Sequence, residues 1–163
     1  MKNRSPRTIN HCGNSVTNLK EAIKFYTRTF GFKVLKKKSI NTEDSSMEAR
    51  IFKDIFEGRL RKLDAAWLNS GNRAGLEIFE FVDPKAERLV NSFDNWRKHF
   101  SHICITDPNI EDLCERIKHN GGVKHSDYHN TGGKDYRLVY CKDPFGNFIE
   151  LFTKDYRRFI TGK

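Results

Sequence analysis

Two histidines and two glutamates recur at matching places along the 163-residue chain. From His11 and from His102 the same offsets reach Leu19 and Ile110, Ala22 and Leu113, Ile23 and Cys114, Tyr26 and Ile117, and finally Gly31 and Gly122. Each copy then ends on a glutamate among hydrophobic residues, Leu76-Glu77-Ile78-Phe79 in the first and Ile149-Glu150-Leu151-Phe152 in the second. A lone strand histidine is more often a core or surface residue than a ligand, and a lone strand glutamate usually faces water. The repeat changes that weighing, because two copies related by a pseudo-twofold bring all four side chains to one point. Two imidazoles and two carboxylates suit a divalent ion of the Zn, Ni, Co, Fe or Mn type, with coordination positions left for water or substrate.

The elements that must position these residues follow from periodicity. In each copy a short strand carries the histidine, at about 8–16 and about 99–106, and an amphipathic helix follows it. The first helix is expected over about 18–30, with Asn18 or Thr17 as its cap and Leu19, Ile23, Tyr26 and Phe30 as its stripe. The second is expected to open at Asp107 and Pro108 and to bury Ile110, Leu113, Cys114 and Ile117. Gly31 and Gly122 read as the left-handed residues that stop the two helices. A hairpin closes each copy. One runs over 63–68 and 76–81 around a Gly-rich turn at 69–75, the other over 138–141 and 148–152 around Asp143-Pro144-Phe145-Gly146-Asn147.

Strand alternation puts His11 on a face with Ile9 and Gly13, and His102 with Cys104 and Thr106. It puts Glu77 with Phe79 and Phe81, and Glu150 with Phe148 and Phe152. A carboxylate between two phenylalanines is costly to bury unless it is paired or bound to a cation. Glu80, out of phase with Glu77, reads as a solvated or capping residue. The first copy is longer by a segment around residues 36–58, within which 47–56 has the spacing of an extra short helix or lid. Residues 84–98 read as a connector helix with Ala86, Leu89, Phe93 and Trp96 in one stripe.

Composition bounds the function. A net charge of +9 raises the question of nucleic acid, but the dense patches, Lys36 to Lys38 and Arg59, Arg61, Lys62, are few and not interleaved with aromatics. Nucleic-acid binding is therefore not expected. No apolar run reaches membrane-span length and residues 1–8 are polar, so a cytoplasmic location without membrane association is expected. Cys12, Cys104, Cys114 and Cys141 form no CxxC pair and read as reduced, mostly buried thiols. His125, Tyr128, His129 and Tyr136 precede the last hairpin as candidate acid–base or pocket-wall residues. Arg59 and Arg61, two apart on an expected strand, are weak candidates for an anionic substrate.

The run Ile9-Asn10-His11 through Phe25-Tyr26 to Phe30-Gly31-Phe32, the Ser101-His102-Ile103 strand and the Asp143-Pro144-Phe145-Gly146-Asn147-Phe148-Ile149-Glu150-Leu151 ending resemble the vicinal oxygen chelate superfamily. Its members include glyoxalase I, extradiol dioxygenases, fosfomycin-resistance proteins and bleomycin-binding proteins. The resemblance implies an α+β fold of two tandem βαβββ modules, about 8–82 and 99–153, whose curved mixed sheets surround a metal-binding cleft within a single domain. It implies one divalent ion per chain (Zn, Ni, Co, Mn or Fe) held by His11, Glu77, His102 and Glu150, with either Glu150 or Glu77 as the catalytic base. It further implies a homodimer and a lyase, isomerase or epimerase that acts on a small vicinal-oxygen substrate through a metal-bound enediolate. An Fe(II)-dependent ring-cleaving dioxygenase and a non-catalytic drug- or metabolite-binding protein are the rival readings. Phe79-Glu80-Phe81-Val82-Asp83-Pro84 follows Glu77 where glyoxalase I members show an Asn-Trp-Gly-like stretch, which leaves glutathione unassigned as a cosubstrate.

Overall fold

The computed structural model describes residues 6–86, 100–133 and 135–162. The first half is β1 (His11–Val16), α1 (Leu19–Phe30), β2 (Lys33–Asn41), α2 (Met47–Ile55), β3 (Lys62–Asn69) and β4 (Gly75–Asp83). The second half is β5 (Ile103–Thr106), α3 (Ile110–His119), β6 (Val123–Lys124), β7 (His129–Asn130), β8 (Arg137–Lys142), β9 (Phe148–Phe152) and a short α4 (Tyr156–Thr161). The strand orders β1-β4-β3-β2 and β5-β9-β8-β6 have one pattern, with β1 parallel to β4 and β5 parallel to β9 while the hairpins are antiparallel. This is the expected α+β pair of βαβββ units, with α2 inserted between β2 and β3 of the first and with two short strands, β6 and β7, both paired with β8, in place of one in the second. No helix among the described residues is long and apolar enough to cross a membrane. The expected connector stripe, apart from Ala86, lies outside the described residues.

Local chemistry sets the helix ends. Asn18 caps α1 by accepting from the Glu21 amide at 3.0 Å, and left-handed Gly31 (φ 70°) ends it. The Glu80 carboxylate reaches across from β4 to the Leu19 amide at 2.7 Å, so this out-of-phase glutamate does cap a helix. Two expectations for α3 are corrected. Its cap is Asn109, which accepts from Asp112, while Asp107 instead accepts from the Asn109 amide at 2.8 Å and shapes the entry turn. At its other end Gly121 has the positive φ of 92°. Gly122 serves close packing, since a Cβ there would lie 2.5 Å from the Lys142 carbonyl oxygen and 2.6 Å from Ile117 Cγ2.

One core joins the two modules. Phe25, Tyr26, Leu68, Leu76 and Ile78 from the first pack with Ile110, Leu113, Ile117, Val139, Ile149 and Leu151 from the second. A smaller core lies on the opposite face of the first sheet, where Phe52 of α2 and Phe56, its C-cap, meet Phe79 and Phe81 edge-on at 5.9 and 5.4 Å. The inserted helix therefore covers the face of the first sheet that carries Glu77. Glu48 holds α2 to β2 by bridging Lys36 and Lys38, each at 3.0 Å, and these two ammonium groups draw its carboxyl down to about 2.

The seam between modules is a buried polar chain. Asn14 donates to the Tyr26 hydroxyl at 3.0 Å, and that hydroxyl donates to Asp143 Oδ2 at 3.0 Å. The Asn147 side chain donates to the same oxygen at 2.9 Å and to the Ser15 carbonyl at 3.2 Å. Asp143 Oδ1 accepts the Phe145 and Asn147 amides, both at 2.9 Å. The Asp-Pro-Phe-Gly-Asn turn thus fixes its own geometry and anchors β1 and α1 of the other module.

Candidate metal and active site

His11 opens β1, the edge strand of the first sheet. Gly75 beside it leaves room for the imidazole's strand, because a Cβ there would come within 2.9 Å of His11 Cβ. His11 Nδ1 lies 2.9 Å from Asn10 Oδ1, and since that oxygen can only accept, Nδ1 is the donor of this hydrogen bond. Nε2 then faces Glu77 Oε2 at 3.7 Å, too long for a hydrogen bond. The other oxygen, Glu77 Oε1, accepts from Trp67 Nε1 at 2.8 Å.

The second half repeats the arrangement. His102 immediately precedes β5 rather than lying inside it, with Nδ1 2.9 Å from Ser101 Oγ and Nε2 3.1 Å from Glu150 Oε2. Glu150 is 7% exposed, and among the described residues the only ion-pair partner of either carboxylate is its histidine. Cys104 stands on the exposed edge strand, yet the desolvation of its thiol and the neighbouring Glu150 push it up to about 12, which keeps it protonated and non-nucleophilic. Burial, and then Glu150, hold the Tyr140 hydroxyl above its ordinary value. The His102 and Tyr140 rings meet edge-on at 5.3 Å.

Each pair offers the nitrogen and oxygen donor types that a divalent cation takes. In each half a ring nitrogen, oriented by a hydrogen bond at its other nitrogen, points at a glutamate oxygen with no lysine or arginine among the described residues to neutralise it. The four residues meet as two pairs. Among the described residues no group of three or more His, Cys, Asp and Glu comes together to hold one ion within the chain, so the single point expected from the repeat is not formed by one chain in this structure.

The remaining candidates are dispersed. His125 packs edge-on against Phe148 at 4.9 Å with Lys142 above the same ring at 4.5 Å, and burial followed by that lysine lowers its proton affinity. It thus lies beside a residue on the Glu150 face. Tyr136 packs on Phe159 of α4, Tyr128 lies under the Lys124 ammonium, and His129 is exposed on β7. Arg59 and Arg61 precede β3 instead of occupying a strand. Both are tied to surface carboxylates, Arg59 to Glu57 at 2.9 Å and Arg61 to Asp83 at 2.5 and 2.6 Å. The four cysteines are free, Cys114 and Cys141 buried but Cys12 and Cys104 not. Sequence reasoning missed Trp67 and Tyr140, which the hairpins set directly across from Glu77 and Glu150.

Known proteins share this architecture. A lactoylglutathione lyase of Schizosaccharomyces pombe is 28% identical over 153 residues, which cover 90% of this chain and 47% of that protein. The chain thus spans about half the length of that relative. A glyoxalase family protein from Bacillus cereus superposes with a TM-score of 0.74 at 17% identity, covering 93% of this chain and 95% of the other. Glyoxalase I from Zea mays superposes with a TM-score of 0.60 at 21% identity, over 90% of this chain and 44% of that one. With its residues 8–151 matching the family model, the chain belongs to the Glyoxalase/Bleomycin resistance protein/Dioxygenase superfamily.

Proposed function

We propose that the chain is a divalent-metal-dependent enzyme of the glyoxalase I type, a lyase or isomerase acting on a small substrate with two adjacent oxygens. His11, Glu77, His102 and Glu150 are its ligand residues in this reading. The observation that carries it is the repeated pair in which an oriented Nε2 points at a glutamate oxygen, at 3.7 Å in one module and 3.1 Å in the other. A bound divalent ion supplies Lewis acidity toward the two substrate oxygens. Glu150, flanked along its strand by Phe148 and Phe152, is the carboxylate that takes the proton from the carbon next to the carbonyl and returns it. Those phenylalanines keep bulk water from the exchanging position.

Because the pairs stay apart in one chain, the site is completed in a homodimer, the His11–Glu77 pair of one copy closing on the His102–Glu150 pair of the other. The test is complementation. Chains carrying His11→Ala and chains carrying His102→Ala should each be inactive alone. Co-expressed, they should recover one working site per heterodimer, because each contributes the pair the other lacks. A mixture as inactive as its components would place the site within one chain.

A further inference from the structure

We infer that Trp67 and Tyr140 are equivalent positioning residues, one in each module, that aim the glutamate carboxylates at the ion. This assignment rests on the reading of the two pairs as ligands. Its support is a correspondence between the halves that the ligand set does not require. Trp67 on β3 stands directly across from Glu77 on β4, and Tyr140 on β8 directly across from Glu150 on β9. Since β3 and β8 are the same strand of the two modules, the two aromatics occupy one position of the repeat.

Directly opposed residues on a sheet face have Cβ atoms about 5 Å apart, within reach of a ring bearing a polar edge. The chemistry of that edge is shared too. The Trp67 indole N–H donates to Glu77 Oε1 at 2.8 Å, which commits one oxygen and leaves Oε2 toward His11. Tyr140, for its part, brings a hydroxyl to the strand position directly across from Glu150, whose Oε2 lies toward His102. Each ring also has company that fixes its plane: the Lys36 ammonium lies 5.4 Å from the centre of the Trp67 ring, and His102 packs edge-on against Tyr140.

The donors differ in a way that matches unequal roles. An indole N–H cannot titrate and can only donate, so Trp67 holds Glu77 as a fixed ligand. A phenol hydroxyl can rotate and can accept as well as donate, so Tyr140 holds its glutamate less rigidly than an indole would. Outer hydrogen bonds of this kind typically contribute 10–100-fold in metal affinity.

The test compares metal-free and metal-loaded protein for Trp67→Phe and Tyr140→Phe, which keep a ring and remove only the donor. Calorimetric titration with zinc should show each variant binding about 10–100-fold more weakly than the unaltered protein. The visible spectrum of the cobalt(II) form should shift in both, whereas the metal-free melting temperature of Tyr140→Phe should stay close to that of the unaltered protein. A merely structural aromatic would lower the melting temperature and leave the cobalt spectrum unchanged. Unchanged zinc affinity in both variants, with the unaltered protein binding zinc, overturns this assignment alone. If the unaltered protein binds no zinc, the ligand reading itself is overturned.

Discussion

Asp143→Ala should destabilise the fold by about 3–5 kcal/mol, the range for removing one partner of a buried charged network. Asp143 is 3% exposed. Its loss strips partners from the Tyr26 hydroxyl, the Asn147 side chain and the Phe145 and Asn147 amides together. Since this chain of bonds joins β1 and α1 to the last hairpin, the loss also frees the seam that sets the two half-sites in relation. Urea denaturation read by circular dichroism measures it. The pH dependence has a definite sign. Burial raises the Asp143 carboxyl above its ordinary value against the pull of its donors, so the folded state holds this proton more tightly than the unfolded state. Its contribution is therefore largest below the unfolded value of about 4 and declines as pH rises through the folded value. The gap between unaltered and Asp143→Ala protein should accordingly widen as pH is lowered from neutrality toward that value.

Glu150→Gln should reduce proton exchange at the carbon next to the substrate carbonyl by about 10²–10⁴-fold, the usual contribution of a positioned general base. An amide at 150 keeps an oxygen toward His102 and the bulk between Phe148 and Phe152, so the fold should be unaffected and metal binding weakened rather than lost. Deuterium incorporation from solvent, followed by NMR with zinc under anaerobic conditions over a panel of thiol adducts, acyl thioesters and catechols, reads the effect. Turnover that consumes oxygen, requires Fe(II) and survives Glu77→Ala would replace proton transfer with ring-cleaving oxygen chemistry.

The features legible in the sequence are those whose physics is local or repeated. Asn18 and Gly31 bracket α1 because a capping amide and a left-handed residue act within one turn. Both hairpins emerge from turn residues between alternating runs, and the four candidate ligands emerge from the repeat itself. Less legible were features decided by tertiary packing. Three residues in a row, Asp107, Pro108 and Asn109, each suit a helix start, and only the entry turn selects Asn109 as the cap. The spacing of Phe52 and Phe56 announces a helix but is silent on which sheet face it covers. The Asn14–Tyr26–Asp143–Asn147 chain joins residues far apart along the sequence and has no local signature. Trp67 and Tyr140 are an intermediate case. Counting outward from the 69–75 turn, and likewise from the Asp143 turn, sets each opposite its glutamate, so the hairpin register held a signal that ligand spacing alone did not use.

The central claim is that two histidine–glutamate pairs belong to one metal site, and metal content tests it most directly. Metal-free protein titrated with zinc in a calorimeter, with the product checked by elemental analysis, should take up one ion per 163-residue chain. The His11→Ala, His102→Ala double variant should take up none while keeping its secondary structure. Full zinc retained by the double variant, or no uptake by the unaltered protein, would contradict the assignment.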